Sequence, residues 1–213
     1  MIDRRTFTTT AAAAMAATVL PARAQWAWKE GTHYVRLAQP APVGAPAGRI
    51  EVLEFFWYGC PHCHDLEPAL EEWARKLPAD VAFRRVPVGF AAVHEMHQRL
   101  FFTLEAMGKL EALHRKIFAA IHLQRQRLDR EADQAAFVGA QGVDAAQFSR
   151  LWRDATVTGK VQQAKRLTDA YKIDGVPAIG VHGRYYTAGS LAGDNKRALL
   201  VADFLIQQAK RGA

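Results

Sequence analysis

Residues 49–67 read R-I-E-V-L-E-F-F-W-Y-G-C-P-H-C-H-D-L-E, and two structural patterns meet in this stretch at a pair of cysteines. Residues 50–58 are rich in β-branched and aromatic side chains and are bounded by glycines, which predicts a strand buried on both faces. From residue 64 to 77, apolar side chains recur at helical spacing. The sequence therefore places a C-x-x-C motif where a strand turns into a helix.

The two cysteines of this motif, Cys60 and Cys63, are the only cysteines in the chain. Cys60 falls at the predicted helix N-terminus, where unpaired N–H groups and the helix dipole stabilise a thiolate. Pro61 suits the first helical position, which needs no N–H donor, and His62 adds a positive charge when it is protonated. Cys63 lies one turn inside the helix and is expected to be the less exposed thiol. A disulfide closing so short a loop gains little entropy, so we expect a redox-active rather than a structural disulfide.

The first 24 residues predict a cleaved export signal. Arg4 and Arg5 precede a weakly apolar Ala/Thr-rich segment at residues 8–20, and the A-x-A pattern at 22–24 places the cleavage after Ala24. The paired arginines are compatible with the twin-arginine route as well as with Sec export. Either route leads to an oxidising compartment, which we take to be the periplasm, where a cysteine pair can form a disulfide.

The formal net charge of the 213 residues is +7, which is moderately basic. The basic residues within 93–159 are scattered without interleaved aromatic residues, so a nucleic-acid partner is not expected.

The rest of the chain predicts a small α/β sheet interrupted by helices. A short edge strand and then a proline-rich loop precede the first buried strand, and a second long strand follows it. The βαβ order makes the two long strands parallel. The predicted elements are an edge strand at 33–37, a loop at 39–48, a strand at 81–88, three or four helices within 93–159, a helix at 160–171, a hairpin with strands at 178–181 and 184–187 turning at His182-Gly183, and a last helix at 196–210.

Four segments carry a resemblance to the DsbA family of periplasmic thiol oxidases. They are V-L-E-F-F at residues 52–56, C-P-H-C at 60–63, K-L-P at 76–78 and G-V-P-A at 175–178. The resemblance covers nearly the whole chain after the export signal. It implies an α/β, thioredoxin-like fold with an inserted all-helical domain, in which residues 25–92 and 160–213 form the thioredoxin-like domain and 93–159 the insertion.

The resemblance also implies site residues beyond the cysteines. Glu54 would lie beneath the site and accept a proton from Cys63 when the substrate leaves, with Arg85 as its basic partner; a solvated face remains the alternative for this acid. Val176-Pro177 would form a cis peptide bond against the C-x-x-C, so that the Val176 backbone pairs with an extended substrate beside an apolar groove. A simple turn is the alternative for this dipeptide.

The predicted function is that of a thiol:disulfide oxidoreductase, a monomer without cofactor or metal that donates the Cys60–Cys63 disulfide to exported proteins. The resemblance implies a membrane quinone-linked partner that reoxidises it. A periplasmic disulfide reductase or isomerase is the alternative within the same chemistry.

Metal-binding alternatives also stay open. Residues 60–64 match the C-x-x-C-H pattern of c-type cytochromes, with His64 as axial ligand. Zinc would need a second pair of ligands, for which His94 and His97 are available. The other histidines, among them His114, His122 and His182, are expected at the surface.

Overall fold

The computed structural model describes residues 28–212, which form a five-stranded mixed sheet in the order β1-β5-β4-β2-β3. The predicted export signal lies outside the described residues. The strands are β1 (Val35–Arg36), β2 (Ile50–Phe56), β3 (Val81–Pro87), β4 (Ala178–Val181) and β5 (Tyr185–Ala188).

Strand β2 lies between β3 and β4 and organises the sheet. It pairs in parallel with β3 along its whole length and antiparallel with β4. All of its residues are buried, as the apolar run predicts. The parallel partner β3 ends at Pro87, consistent with a residue that cannot donate a ladder hydrogen bond.

The helices of the described residues follow the predicted order, with one short addition after β5. They are α1 (Pro61–Arg75), α2 (Ala92–Ala106), α3 (Leu110–His122), α4 (Glu131–Ala140), α5 (Ala145–Trp152), α6 (Ala155–Ala170), α7 (Gly189–Ala192) and α8 (Asn195–Arg211). The predicted block of three or four helices is thus confirmed as α2–α5. None of the described helices is both long and apolar enough to cross a membrane.

Helices cover both faces of the sheet, because alternate residues of β2 point to opposite sides. Ile50 and Val52 pack with α1 and α8 in one apolar cluster. Leu53 and Phe55 pack in a second cluster with residues from α2 to α6. The α/β, thioredoxin-like fold with an inserted helical block is therefore confirmed.

Several predicted boundaries differ from the structure, two of them for a local reason. Helix α6 begins at Ala155, ahead of the predicted start at residue 160, because the Asp154 side chain caps it by accepting a hydrogen bond from the Thr156 N–H. The hairpin connection spans residues 182–184, one residue longer than predicted, since Val181 pairs with Tyr185. The division of the chain at residues 92/93 and 159/160 stays a prediction.

Candidate active site

Cys60 and Cys63 lie at the start of α1, as predicted. Cys60 is the N-cap residue and Pro61 occupies the first helical position. Both cysteines are unpaired thiols in this structure. The expectation of an exposed Cys60 needs correction: this residue is only 7% exposed, although Cys63 is fully buried and the order of access is as predicted.

The Cys60 thiol has its pKa lowered to about 6. The largest cause is a hydrogen bond from the Cys63 side chain, which outweighs the opposing effect of burial, and backbone N–H groups of Cys63 and His62 add to it. The charge of His62 is the smallest of these contributions. The helix start and the second cysteine therefore stabilise the thiolate more than His62 does.

The surroundings of Cys63 change its pKa in the opposite direction. Burial raises its pKa well above the ordinary value, and the nearby Cys60 and Glu54 raise it further. The two sulfurs thus differ strongly in acidity: Cys60 is suited to remain a thiolate, whereas Cys63 holds its proton. This is the asymmetry that thiol–disulfide exchange at one selected sulfur requires.

The Val176-Pro177 peptide bond is cis and lies against the cysteine pair, as the resemblance implies. The Cys60 thiol donates to the carbonyl oxygen of Val176 over 3.5 Å. A groove beside them is of mixed polarity, which corrects the expectation of an apolar one. Its lining comprises His62, residues 173–178, Tyr186, residues 188–191 and residues 193–195.

Glu54 is fully buried, so the solvated alternative for this acid is wrong. The parallel register places Arg85 directly beside it on β3, and the Arg85 Nε donates to Glu54 Oε2 at 3.1 Å. Burial is the largest cause that raises the pKa of Glu54 to about 8, followed by the charge of Glu67. Glu54 is therefore a carboxylic acid at neutral pH, adjacent to the buried thiol.

Three further residues of this site were missed by the sequence analysis: Glu67, His114 and Tyr58. Arg85 donates through Nη2 to Glu67 Oε1, and the same oxygen lies 3.3 Å from His114 Nε2. The Nδ1 of His114 is 2.8 Å from the Tyr58 hydroxyl. Glu67 follows Cys63 by one helical turn on the buried face of α1, a spacing that could have identified it.

The predicted surface position of His114 is wrong, because this side chain is buried against Phe56, Tyr58 and Phe118. It falls on the apolar face of α3, which its spacing from Leu110 and Ile117 would have indicated. His122 is half-buried; it stacks on His64 with ring centroids 4.7 Å apart, and its Nε2 contacts the Tyr58 carbonyl.

The two histidines considered for zinc lie beside Trp57 instead of forming a cluster with the cysteines. His94 packs on the Trp57 ring at 4.2 Å between centroids, and His97 is buried with Nε2 at 3.0 Å from the Arg127 carbonyl. Among residues 28–212, no group of three or more His, Cys, Asp or Glu side chains is arranged to hold a metal ion.

Comparison with known proteins agrees with this geometry. A family model described as the DSBA-like thioredoxin domain matches residues 51–201. The thiol:disulfide interchange protein DsbA of Azotobacter vinelandii is 43% identical over 182 residues, covering 85% of each chain. The DsbA of Bordetella parapertussis is 44% identical over 202 residues, covering 94% of this chain and 95% of the relative.

Solved structures give the same result. The crystal structure of Pseudomonas aeruginosa DsbA superposes with a TM-score of 0.83 at 39% identity, covering 87% of this chain and 96% of that one. The oxidoreductase DsbA from Xylella fastidiosa superposes with a TM-score of 0.80 at 29% identity, covering 87% and 98%. These similarities support thiol exchange, and not haem attachment, as the chemistry of residues 60–64. The chain belongs to the DSBA-like thioredoxin domain family and is a thiol:disulfide oxidoreductase.

Proposed function

We propose that the protein acts as a dithiol oxidase, donating the Cys60–Cys63 disulfide to exported proteins. A substrate thiolate attacks Cys60 Sγ, the disulfide breaks, and Cys63 leaves and is protonated. A second substrate thiolate then attacks the substrate sulfur of the mixed disulfide, and Cys60 leaves as a thiolate. The substrate is oxidised by two electrons and the enzyme is reduced by two.

The lowered pKa of Cys60, about 6, is the observation that supports disulfide donation over disulfide reduction. A stable thiolate is a good leaving group and favours the reduced enzyme over the disulfide, which makes the disulfide oxidising. A reductase or isomerase needs a less oxidising disulfide, so the same observation argues against that alternative.

Glu54 supplies and receives the proton of Cys63 in this proposal. With a pKa of about 8, it is protonated at neutral pH and can protonate the leaving Cys63 in the first step. When the reduced enzyme is reoxidised, Cys63 attacks a mixed disulfide at Cys60, and the Glu54 carboxylate accepts the proton. The family resemblance implied only proton acceptance by Glu54.

Substrate binding is proposed at the Val176 backbone and the groove beside it. The Val176 carbonyl lies next to the reacting sulfur, where an extended peptide could form main-chain hydrogen bonds. Pro177 follows it with no N–H of its own and lies buried beneath this backbone. Main-chain pairing does not distinguish side chains, so broad substrate specificity is expected.

The proposal includes export to the periplasm after cleavage at Ala24, by the Sec or twin-arginine route, and a monomeric enzyme reoxidised by a membrane quinone-linked partner. Equilibration of the Cys60–Cys63 couple with glutathione tests the direction of the reaction. We expect the protein to be mostly reduced in a buffer where glutathione itself is mainly in its thiol form. A protein that stays oxidised in this buffer would point to a structural or reducing disulfide and contradict the oxidase proposal.

A further inference from the structure

A buried polar chain extends from the reacting cysteines into the helical block. It runs from Glu54 on β2 through Arg85 on β3 and Glu67 on α1 to His114 on α3. Two carboxyl groups share one arginine in this chain, and like charges so close together cannot both be fully ionised without cost. This arrangement favours a proton on one of the two carboxyls, and the reaction needs that carboxyl to be Glu54.

We propose that His114 is a positioning residue that keeps this proton on Glu54 by stabilising the anionic form of Glu67. The inference rests on the proposed role of Glu54 and adds the group that sets its protonation. It depends on the contact between His114 and Glu67 in this chain.

The contacts of the two carboxyls are unequal. Each carboxyl is bonded to Arg85 through one oxygen, and its other oxygen, Oε1 of Glu54 or Oε2 of Glu67, is buried without a hydrogen-bond partner. Of the two carboxyls, Glu67 alone has a second nitrogen beside its bonded oxygen: His114 Nε2 lies 3.3 Å from Glu67 Oε1, at ion-pair distance but outside hydrogen-bonding geometry. Two nitrogens, Arg85 Nη2 and His114 Nε2, lie against Glu67, whereas Arg85 Nε alone lies against Glu54, so the negative charge is better stabilised on Glu67.

The Tyr58 hydroxyl orients the His114 ring for this task. It lies 2.8 Å from His114 Nδ1. Since burial raises the pKa of Tyr58 well above its ordinary value, the phenol keeps its proton, and we infer that it donates this proton to Nδ1. Neutral His114 then carries its own proton on Nε2, which faces Glu67.

The directions of the pKa values agree with the geometry. Burial alone would raise the pKa of Glu67, but the adjacent His114 side chain and, after it, Arg85 lower it. Burial lowers the pKa of His114, which favours the neutral ring over the imidazolium. The charged or titratable groups that face the ring are Glu67, Arg85, Tyr58 and, on α3 itself, Glu111.

Carbon-13 NMR titration of the buried carboxyls in the reduced protein tests the inference. In His114→Phe, the pKa of Glu54 should fall and that of Glu67 should rise above its ordinary value, because burial remains while one donor is lost. His114→Gln restores an N–H donor and should keep the parental order of the two pKa values. The matched control is His97→Phe, which replaces a buried histidine outside this buried polar chain and should leave the pKa values of Glu54 and Glu67 unchanged.

Kinetics give a second readout of the same change. Reduction of the enzyme disulfide by glutathione should slow in His114→Phe at neutral pH and approach the parental rate in acid, where Glu54 is protonated in both proteins. If His114→Phe does not fold, Tyr58→Phe serves instead and should shift both carboxyls in the same directions by a smaller amount.

Two results would overturn the inference. If the pKa values of Glu54 and Glu67 are unchanged in His114→Phe, His114 does not control which carboxyl holds the proton. A shift of both carboxyls to their ordinary values would indicate water entry and a merely structural role. The NMR result needs no exchange activity, so it is separate from the test of the oxidase proposal, which depends on the redox equilibrium of the parent protein.

Discussion

The Cys60 thiol donates to the carbonyl oxygen of Val176 over 3.5 Å, across a sequence separation of 116 residues. The reacting sulfur therefore lies beside a backbone acceptor supplied by the far end of the chain. When Cys60 is a thiolate or a mixed disulfide, it no longer donates this hydrogen bond. The Val176 carbonyl is then free for the N–H of a bound peptide, which couples the covalent state of the sulfur to substrate pairing.

Cys60, and not Cys63, is expected to form the mixed disulfide, because Cys63 is fully buried and holds its proton. Cys63→Ala should accumulate covalent adducts with exported proteins, seen as bands that disappear after reduction on a non-reducing gel. Cys60→Ala is the matched variant and should accumulate few. Equal or stronger trapping by Cys60→Ala would reverse the assigned roles.

The Cys60 thiolate is expected to form with a midpoint at pH about 6, measured from the ultraviolet absorbance of the thiolate. Cys63→Ala should raise this pKa more than His62→Leu does, because the Cys63 hydrogen bond is the largest stabilising contribution and the His62 charge the smallest. A larger effect of His62→Leu would mean that the histidine charge, and not the second cysteine, dominates the acidity of Cys60.

The reduced protein should resist urea better than the oxidised protein at neutral pH. The folded pKa of Cys60, about 6, lies below its ordinary value of 9.0, so the thiolate stabilises the reduced fold. This stabilisation is complete above the unfolded value and is lost as the pH falls through about 6. Paired urea titrations across this range measure it, and a parent that is more stable when oxidised at neutral pH would contradict the prediction.

Glu54→Gln should slow the attack of Cys63 on a mixed disulfide at Cys60 by up to about 10²-fold, the lower range of general acid–base assistance. The measurement is the release of a preformed glutathione adduct, followed by rapid mixing. The control is Glu51→Gln on the same strand, since Glu51 is equally buried but binds Arg84 and the Gly44 N–H. Equal release rates in all three proteins would exclude Glu54 from proton transfer.

Gly180→Ala should destabilise the protein by about 1–3 kcal/mol, the usual cost of overpacking a core. A Cβ at this position of β4 would lie 2.6 Å from the Tyr171 ring and 3.0 Å from the Phe55 ring. Gly159→Ala is the control, because nothing lies within 4 Å of the added carbon in α6, and it should gain roughly 0.5–1 kcal/mol. Urea unfolding of the two variants should therefore change in opposite directions, and a neutral Gly180→Ala would show that the two rings can move aside.

The sequence predicted those structural features that depend on local composition and residue spacing. The burial of β2 on both faces and the position of Cys60 at a helix start follow from composition over a few residues, and both are confirmed. The cis bond at Pro177 and its contact with the cysteines came from the family resemblance, because no local pattern relates residues so far apart.

The buried chain beneath the site was only partly predictable. Glu54 stood out as an acid in an apolar strand, and Arg85 as its neighbour across the parallel strands. The link from Glu67 to His114 depends on how α3 packs against α1, which is a tertiary contact without a sequence signature. The burial of His114 itself was predictable from its place on the apolar face of α3, and the expectation of a surface position overlooked that spacing.

Strand β2 pairs with β3 on one edge and β4 on the other, so it fixes Arg85 and the segment after Pro177 relative to the cysteines. Inserting or deleting one residue in β2 would exchange its two faces and turn Glu54 into the aromatic cluster around Phe55. Length variation among natural relatives should therefore concentrate in the loop at 39–48 and in the connections of the helical block. The interval from Ile50 to Cys60 should stay constant in length, even where its apolar side chains are exchanged.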